Sequence, residues 1–471
     1  MTEKELLVGK YREYFGEDCV DIFSLPRSGS DRKYYRLPGS KKSIIGAYNP
    51  NREENDAFIG FTYHFRSLNL PVPEIYSYFP EDNCYFIQDL GDTNLFTWLD
   101  NKYREGGFDD ELFDFYKLSL EMLVIFQTEG IKGLDLSLCY PHKSFDRQSM
   151  IWDLNYFKYM FLKLVAAPFN EQLLEKDFSA LVNFLLEAEQ DYLLYRDFQS
   201  ANIMIVDNKP WFIDYQGGRM GSAQYDPASL LYDPKANVPQ QARELLIEHY
   251  IKLFCANTSK PESLFRKYYP GFVLIRIMQA LGAFGYRGLF EQKPGFVQSI
   301  IPGVNILNHI IESGQIGIKL PELFKILREI PGLDSFAELE QTERLKVRIT
   351  SFSYMNGVPQ DNVHGGGFIY DCRGLPSPEK VEKLKNLTGL DEPVKEFLKS
   401  NTDVKDFLDD AANMVKRSVK SYIKKDYNSL AVSFGCTGGK HRSVYCAEEL
   451  ANSLQAIRGI EIQVNHRDKD K

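Results

Sequence analysis

The chain has 471 residues, is 44% hydrophobic and carries a formal net charge of −9. That length supports two to three domains with sizeable cores, and the negative balance excludes a general polyanion binder. The 7 cysteines make no Cys-x-x-Cys pair or zinc spacing, no apolar run reaches membrane-span length, and the charged start Met1-Thr2-Glu3-Lys4-Glu5 leads into no apolar signal core; a reduced, cytoplasmic setting is expected, with no membrane partner.

Residues 1–20 read as an amphipathic helix with Leu6, Leu7, Tyr11 and Tyr14 on one side. Strands follow at 22–25 and 33–37, joined by a Ser/Gly turn over 26–31. Such a turn either covers a nucleotide phosphate with backbone N–H groups or closes a plain hairpin. Arg32 or Lys33 offers a cation beside it. Residues 42–48 form a third strand, with Gly46 and Ala47 where a protein kinase carries its phosphate-binding lysine. A helix over 51–68, anchored by Phe58, Phe61, Tyr63 and Phe65, turns Glu53, Glu54 and Asp56 either to phosphate contacts or to solvent. Strands at 71–79 and 84–90 complete this part. The backbone from Gln88 to Leu90 is placed as a hinge for an adenine edge, and Gly91 frees the chain to turn onward.

Helices are predicted over 108–130, 148–164, 170–189, 238–255, 265–290, 296–313 and 317–330. In their midst a short buried run at 192–195 enters a polar loop, followed by a strand at 203–206, a turn at 207–210 and a strand at 211–213. This hairpin returns Asp214 to the side of Asn202. Asp197, an amide five residues on and a second carboxylate at the end of a β-run suit phosphoryl transfer. That reaction needs a base beside the attacking hydroxyl and oxygen ligands for Mg²⁺ on ATP. Asp197 is the candidate base; Asn202 and Asp214 are the candidate metal ligands. An ordinary surface hairpin with polar ends is the alternative. The glycine-rich stretch 216–221 stands where a kinase has its activation segment. Asp226, ahead of Pro227, caps the next helix or bonds the loop backbone. The charged stretch 333–344 reads as a bridge between domains.

Four pieces, Arg27-Ser28-Gly29-Ser30-Asp31-Arg32, Ile87-Gln88-Asp89-Leu90-Gly91-Asp92, the loop from Tyr195 to Asn202 with Asp214, and Tyr225-Asp226-Pro227-Ala228-Ser229-Leu230-Leu231, resemble the aminoglycoside phosphotransferase-type kinases. Within these small-molecule relatives of protein kinases, the likeness is to the anomeric N-acetylmuramate/N-acetylglucosamine kinases of cell-wall recycling. The resemblance covers residues 1–335. It implies an α+β, protein-kinase-like bilobal domain, with a small lobe over 1–90 and a large lobe over 91–335. It also implies ATP and Mg²⁺ as cofactors and an amino-sugar substrate phosphorylated at its anomeric hydroxyl. Ser28, Gly29, Ser30, Arg32, Gln88 and Leu90 are then the ATP-binding residues, and Arg196 and Asp226 support the catalytic loop. Two departures stand out: many members carry His where this chain has Tyr195, and no clear strand lysine is present.

Residues 345–471 carry 20 Lys and Arg against 17 Asp and Glu, a mildly basic balance that permits RNA or phosphate binding. β-runs at 345–350, 368–371 and 429–434, with helical sequence over 404–424, argue for an α/β domain. The third run ends in Gly435-Cys436-Thr437-Gly438-Gly439-Lys440-His441-Arg442-Ser443 and enters a helix over 444–454. A strand, a glycine-rich turn and a helix start make an anion site, with Lys440, His441 and Arg442 adding charge; a purely structural turn is the alternative. The spacing from Cys436 to Arg442 and Ser443 also fits a cysteine phosphatase, although no general-acid aspartate is placed.

This loop, with Ser351-Phe352-Ser353-Tyr354, Gly357-Val358-Pro359, Asp371-Cys372-Arg373-Gly374-Leu375-Pro376-Ser377-Pro378, Thr388-Gly389-Leu390-Asp391 and His466-Arg467-Asp468, closely resembles the C-terminal domain of the RNase adapter RapZ. The likeness spans nearly all of 345–471. It implies a sugar-phosphate ligand and a small RNA as partners, with Arg373 joining residues 436–443 in the site. That family's P-loop half is absent, and Asp468 and Asp470 dilute the basic tail. Two functions are therefore open: an ATP-dependent amino-sugar kinase with a C-terminal sensor, or a non-catalytic adapter whose kinase lobe only binds ligand. No DNA partner is expected.

Overall fold

The structure, a computed structural model, describes residues 2–25, 32–40, 42–105, 107–293, 296–342, 345–359, 367–424, 427, 429–455, 457 and 460–469. The chain forms two compact units, residues 1–286 with 299–330, and residues 287–298 with 331–471.

The first unit opens with α1 (Glu3–Phe15), where Thr2 and Glu5 form a reciprocal capping box and Gly16 ends the helix in the left-handed region at φ 71°. That glycine stops the helix short of the expected residue 20. Leu7 and Tyr11 bury against a five-stranded antiparallel sheet. Its strands β1 (Phe23–Ser24), β2 (Lys33–Pro38), β3 (Ser43–Tyr48), β4 (Ile75–Phe79) and β5 (Cys84–Gln88) lie in the order β1-β2-β3-β5-β4. Side chains alternate between the two faces of β5. Phe86 meets Tyr11 of α1, while Tyr85 stacks on Phe58 of α2 (Arg52–Ser67). Asn51 caps α2 by accepting from the Glu54 N–H at 3.1 Å. A side chain at Gly46 would place its Cβ 2.8 Å from Leu37 Cδ1 and 3.3 Å from Leu7 Cδ2. The packing of α1 on the sheet thus leaves no room for a lysine there.

Helices dominate the rest of the unit: α3 (Leu95–Glu105), α4 (Asp110–Thr128), α5 (Arg147–Phe157) and α6 (Glu171–Leu186) precede the loop region. The sequence pattern did not single out α3. Strand β6 (Tyr192–Leu194) leads into the loop, and β7 (Ile203–Val206) pairs with β8 (Lys209–Phe212) in a hairpin. Asp207 and Asn208 both have positive φ, 50° and 58°. This two-residue turn matches the twist of the strands, so Pro210 belongs to β8 rather than to the turn. The glycine-rich stretch holds a strand, β9 (Arg219–Gly221), antiparallel to β6. It is followed by α7 (Tyr225–Leu231), α8 (Gln240–Thr258), α9 (Glu262–Phe284), α10 (Ile300–Glu312) and α11 (Pro321–Glu329).

In the second unit, the charged stretch expected to be a bridge holds a helix, α12 (Asp334–Thr342). Strands β10 (Leu345–Ser353), β11 (Phe368–Asp371), β12 (Ser429–Cys436) and β13 (Ile460–His466) form a parallel sheet in the order β11-β12-β10-β13. Helices α13 (Glu392–Lys399), α14 (Thr402–Lys424) and α15 (Arg442–Leu454) complete the unit. Its core gathers Val347, Ile349, Val432 and Phe434 from the central strands with Val415, Val419, Leu450 and Leu454 from the helices. The architecture is a protein-kinase-like bilobal α+β unit followed in sequence by an α/β unit. Among the described residues, no helix is long and apolar enough to cross a membrane.

Candidate active site

The loop after β6 is held by its backbone. Asp226, at the start of α7, accepts from Tyr195 N at 2.7 Å and from Arg196 N at 3.0 Å, and the Gln127 amide reaches it at 3.3 Å. Of the two expected roles for Asp226, the loop contact is therefore made. Burial pushes its carboxyl up to about 7, against the N–H groups that favour the ionised form. Arg196 has φ 79°. Its guanidinium grips Asp153 with Nη1 and Nη2 at 2.9 and 2.7 Å and donates to Tyr225 Oη at 2.7 Å. Tyr195, buried, donates its hydroxyl to the Ile213 carbonyl at 2.7 Å. It thereby ties the loop to the strand end that carries Asp214.

The hairpin brings Asn202 and Asp214 together, as its register requires. Asn202 Nδ2 donates to the Asp197 carbonyl at 2.9 Å and lies 3.4 Å from Asp214 Oδ2. With Nδ2 so engaged, Asn202 Oδ1 is the atom left for a cation. Asp214, at φ 68°, keeps a partly open carboxylate whose Oδ1 accepts from Gln216 Nε2 at 2.7 Å. Asp197 has Gly217 beside it: a Cβ on that glycine would lie 3.7 Å from Asp197 Oδ2. Burial raises the pKa of Asp197 and the Asp214 carboxylate adds to the rise, while Arg196, Arg276 and Arg219 oppose it.

Between Arg32 and Lys33, geometry separates the two. Lys33 reaches Glu3 on α1. Arg32 is buried, with Nη2 2.7 Å from Glu54 Oε1 of α2 and Nη1 3.9 Å from Asp214 Oδ1. Its Nη1 donates to Tyr34 Oη at 3.1 Å. The Nη2 approach to Glu54 is an ion pair without hydrogen-bond alignment, so Arg32 Nε and Nη2 and also Gln216 Oε1 are buried without hydrogen-bond partners. Orphaned donors on a buried cation, an orphaned amide oxygen and an open carboxylate form a donor set that fits a phosphate chain with its divalent cation. Glu54, expected to face either way, faces inward.

The remaining nucleotide-site expectations fare differently. Ser28, Gly29 and Ser30 lie outside the described residues. Gln88 spends its N–H on the Glu74 carbonyl at 2.8 Å, and its side chain accepts from Glu74 N at 3.2 Å. Its N–H is thus not free for an adenine, and Leu90, half-buried, is in neither bond. Asp89 is held by Arg36 Nε at 2.7 Å and Ser43 Oγ at 2.6 Å. Sequence reasoning did not reach Asp153, Gln127 or Arg276, which lie far along the chain from the loop they serve, nor the side-chain roles of Gln216 and Arg219 in the glycine-rich stretch just after Asp214.

In the second unit, the turn between β12 and α15 keeps Thr437 and Gly438 exposed and Lys440 half-buried. Gly439, at φ 69°, needs its missing side chain: a Cβ would lie 2.8 Å from Ser353 N. Arg442 turns inward, and its Nη1 donates to the carbonyls of Arg373 at 2.8 Å and Leu375 at 3.1 Å. Arg373 pairs with Asp371 at 2.6 Å and lies over the Tyr354 ring at 4.0 Å. Cys436 is buried, with Sγ 3.2 Å from Ser443 Oγ. A phosphatase needs an exposed thiolate with arginine turned to the same anion, and neither is present, so that reading is set aside. His441 is buried, and its Nε2 has no hydrogen-bond partner. Asp468 is structural: it accepts from Ser353 N and Asn356 Nδ2, both at 2.9 Å.

Residues 345–470 match the family of the RapZ C-terminal domain. A nucleotide-binding protein of Thermobifida fusca is 37% identical over 133 residues, 28% of this chain and 43% of the relative. One of Thermotoga neapolitana is 38% identical over 145 residues, 31% of this chain and 49% of the relative. The chain therefore spans less than half the length of these curated relatives. A Plasmodium vivax ethanolamine kinase structure is similar at 14% identity and a TM-score of 0.48, over 67% of this chain and 92% of that one. Residues 24–263, just over half of the chain, match the phosphotransferase enzyme family, and the chain belongs to that family.

Proposed function

We propose that the first unit is an ATP-dependent kinase that phosphorylates an amino sugar of the N-acetylmuramate or N-acetylglucosamine type at its anomeric hydroxyl. The observation that carries the phosphotransfer reading is the assembly of Asp197, Asn202 and Asp214 with the buried Arg32–Glu54 pair at 2.7 Å. The choice of sugar rests on the sequence resemblance. Asp197 takes the proton of the attacking hydroxyl, and its raised pKa makes it a better base. Asn202 Oδ1 and Asp214 would hold Mg²⁺. The ion supplies neutralisation of the charge on the transferring phosphates. Arg32, oriented by Glu54, takes the place of the strand lysine and faces the phosphates. Asp226 and Arg196 hold the loop in the geometry this requires, and the Leu90 backbone is the part of the hinge left for adenine. The second unit binds a sugar phosphate at the 436–443 turn through Lys440 and the exposed backbone of Thr437 and Gly438, with RNA as the competing ligand to be tested there.

A thermal-shift screen of amino sugars and their phosphates, with and without MgATP, followed by turnover assays on the hits, tests this reading. Asp197→Ala is expected to keep the fold and the MgATP-induced shift and to lose turnover by about 10²–10⁴-fold or more. Retained turnover in that variant would remove Asp197 from the role of base.

A further inference from the structure

A second site is built into the helical part of the first unit. Helices α8, α9 and α10 border a half-open cavity of about 600 Å³, lined by Tyr232, Gln240, Arg243, Tyr269 and Ile310 among others. Its size is that of a pocket for a small organic ligand. None of the loop, hairpin or Arg32–Glu54 residues lines it.

Arg243 defines its chemistry. The residue is only 8% exposed, yet its Nε has no hydrogen-bond partner. Among the described residues, no carboxylate makes an ion pair with it. The two nearest acidic residues on its helix, Glu244 and Glu248, also line the cavity, together with Arg266, and both are already engaged. Glu244 accepts from Gln240 Nε2 at 2.9 Å, and Glu248 is held by Arg266, whose Nη2 lies 2.8 Å from Glu248 Oε2. What Arg243 does have is an aromatic floor, with its guanidinium 4.7 Å from the centre of the Tyr232 ring. Tyr269, 7% exposed on α9, lines the same cavity and carries a buried hydroxyl without a hydrogen-bond partner. One residue on, Pro270 supplies no N–H to the Arg266 carbonyl, which leaves an acceptor without its helical donor. A buried cation without a direct ion pair costs folding free energy, and burial presses the pKa of Arg243 below its ordinary value although Glu244 opposes the shift. An incoming anion relieves that cost.

We propose that this cavity binds a small ligand bearing one compact anionic group, a phosphate or a carboxylate, held by the Arg243 guanidinium and the Tyr269 hydroxyl, on a body with hydroxyl or amine groups. Ile247, Ile251, Val273 and Ile310 supply the apolar wall against which that body packs. The site lies apart from the phosphotransfer centre, so its ligand is an effector or a second substrate-sized molecule rather than the nucleotide.

Calorimetry on the full chain with glucose 6-phosphate, glucuronate and glucose separates the two anion types from the neutral body. At least one anionic probe is expected to give a saturable heat that glucose does not. Arg243→Gln should weaken that binding by about tenfold or more and Tyr269→Phe by less, while Arg243→Lys retains part of it. Crystals soaked in tungstate should show anomalous density beside the Arg243 guanidinium, which locates the site independently of any variant and of the second unit. Equal affinities in wild type, Arg243→Gln and Tyr269→Phe, no heat with either anionic probe, or tungstate density elsewhere only, would each overturn the assignment.

Discussion

Asp226 shows how much of a loop's geometry one side chain can hold. Both its oxygens accept backbone N–H groups, from Tyr195 and Arg196. Asp226→Asn turns one oxygen into an NH₂ that faces an N–H, and a donor left against a donor costs about 1–3 kcal/mol. The variant is expected to lower the denaturant midpoint and to cut turnover, with the melting of the second unit unchanged. Full activity with full stability would mean that the loop is held by other contacts. That Asp197, Asn202 and Asp214 come together was readable from spacing because all three sit within one loop and one hairpin. Arg32 was readable only as one of two cations. Its choice over Lys33 depends on which helix each side chain meets, α2 at Glu54 or α1 at Glu3, and Glu54 and Gln216 come from segments distant from Arg32. The fate of Arg442 was not readable either. A charged residue in a glycine-rich turn suggests a ligand, but whether it points out or in is decided by the carbonyls of Arg373 and Leu375.

The β7–β8 hairpin carries the geometry of the proposed metal site, because its register sets Asn202 beside Asp214. Two successive positive-φ residues make its turn, Asp207 and Asn208. Asn tolerates that region and a β-branched residue does not. Asn208→Val is expected to cost about 1–2 kcal/mol and to weaken apparent Mg²⁺ affinity, read as a higher half-saturating Mg²⁺ concentration. Asn208→Gly should leave both unchanged. A Val variant with unaltered stability would show that the turn does not set the register. The alternation and helical periodicity that identify buried faces placed most of the elements within a few residues. They missed β9, since Arg219-Met220-Gly221 in a glycine-rich stretch has no strand pattern, and its pairing with β6 is a long-range contact. They also missed β13, although Ile460, Ile462 and Val464 alternate along it. Its strand nature depends on β10, its parallel partner at the sheet edge.

The two units join a phosphotransferase to a domain matching that of RapZ, and each has its own charged loop. The roles of those loops separate by mutation. Arg442→Ala removes a charged donor from two carbonyls, so it should destabilise the second unit by about 2–3 kcal/mol. Lys440→Ala should leave stability intact and weaken sugar-phosphate binding to that unit; the reverse pattern would place the anion contact at Arg442. The most direct test of the whole is ³¹P NMR of the full chain with MgATP and N-acetylglucosamine or N-acetylmuramate. A sugar 1-phosphate resonance is expected to grow as ATP is consumed with wild type and to be absent with Asp197→Ala. Phosphate appearing at another hydroxyl, product formed by Asp197→Ala, or no sugar-dependent loss of ATP with any amino sugar would contradict it.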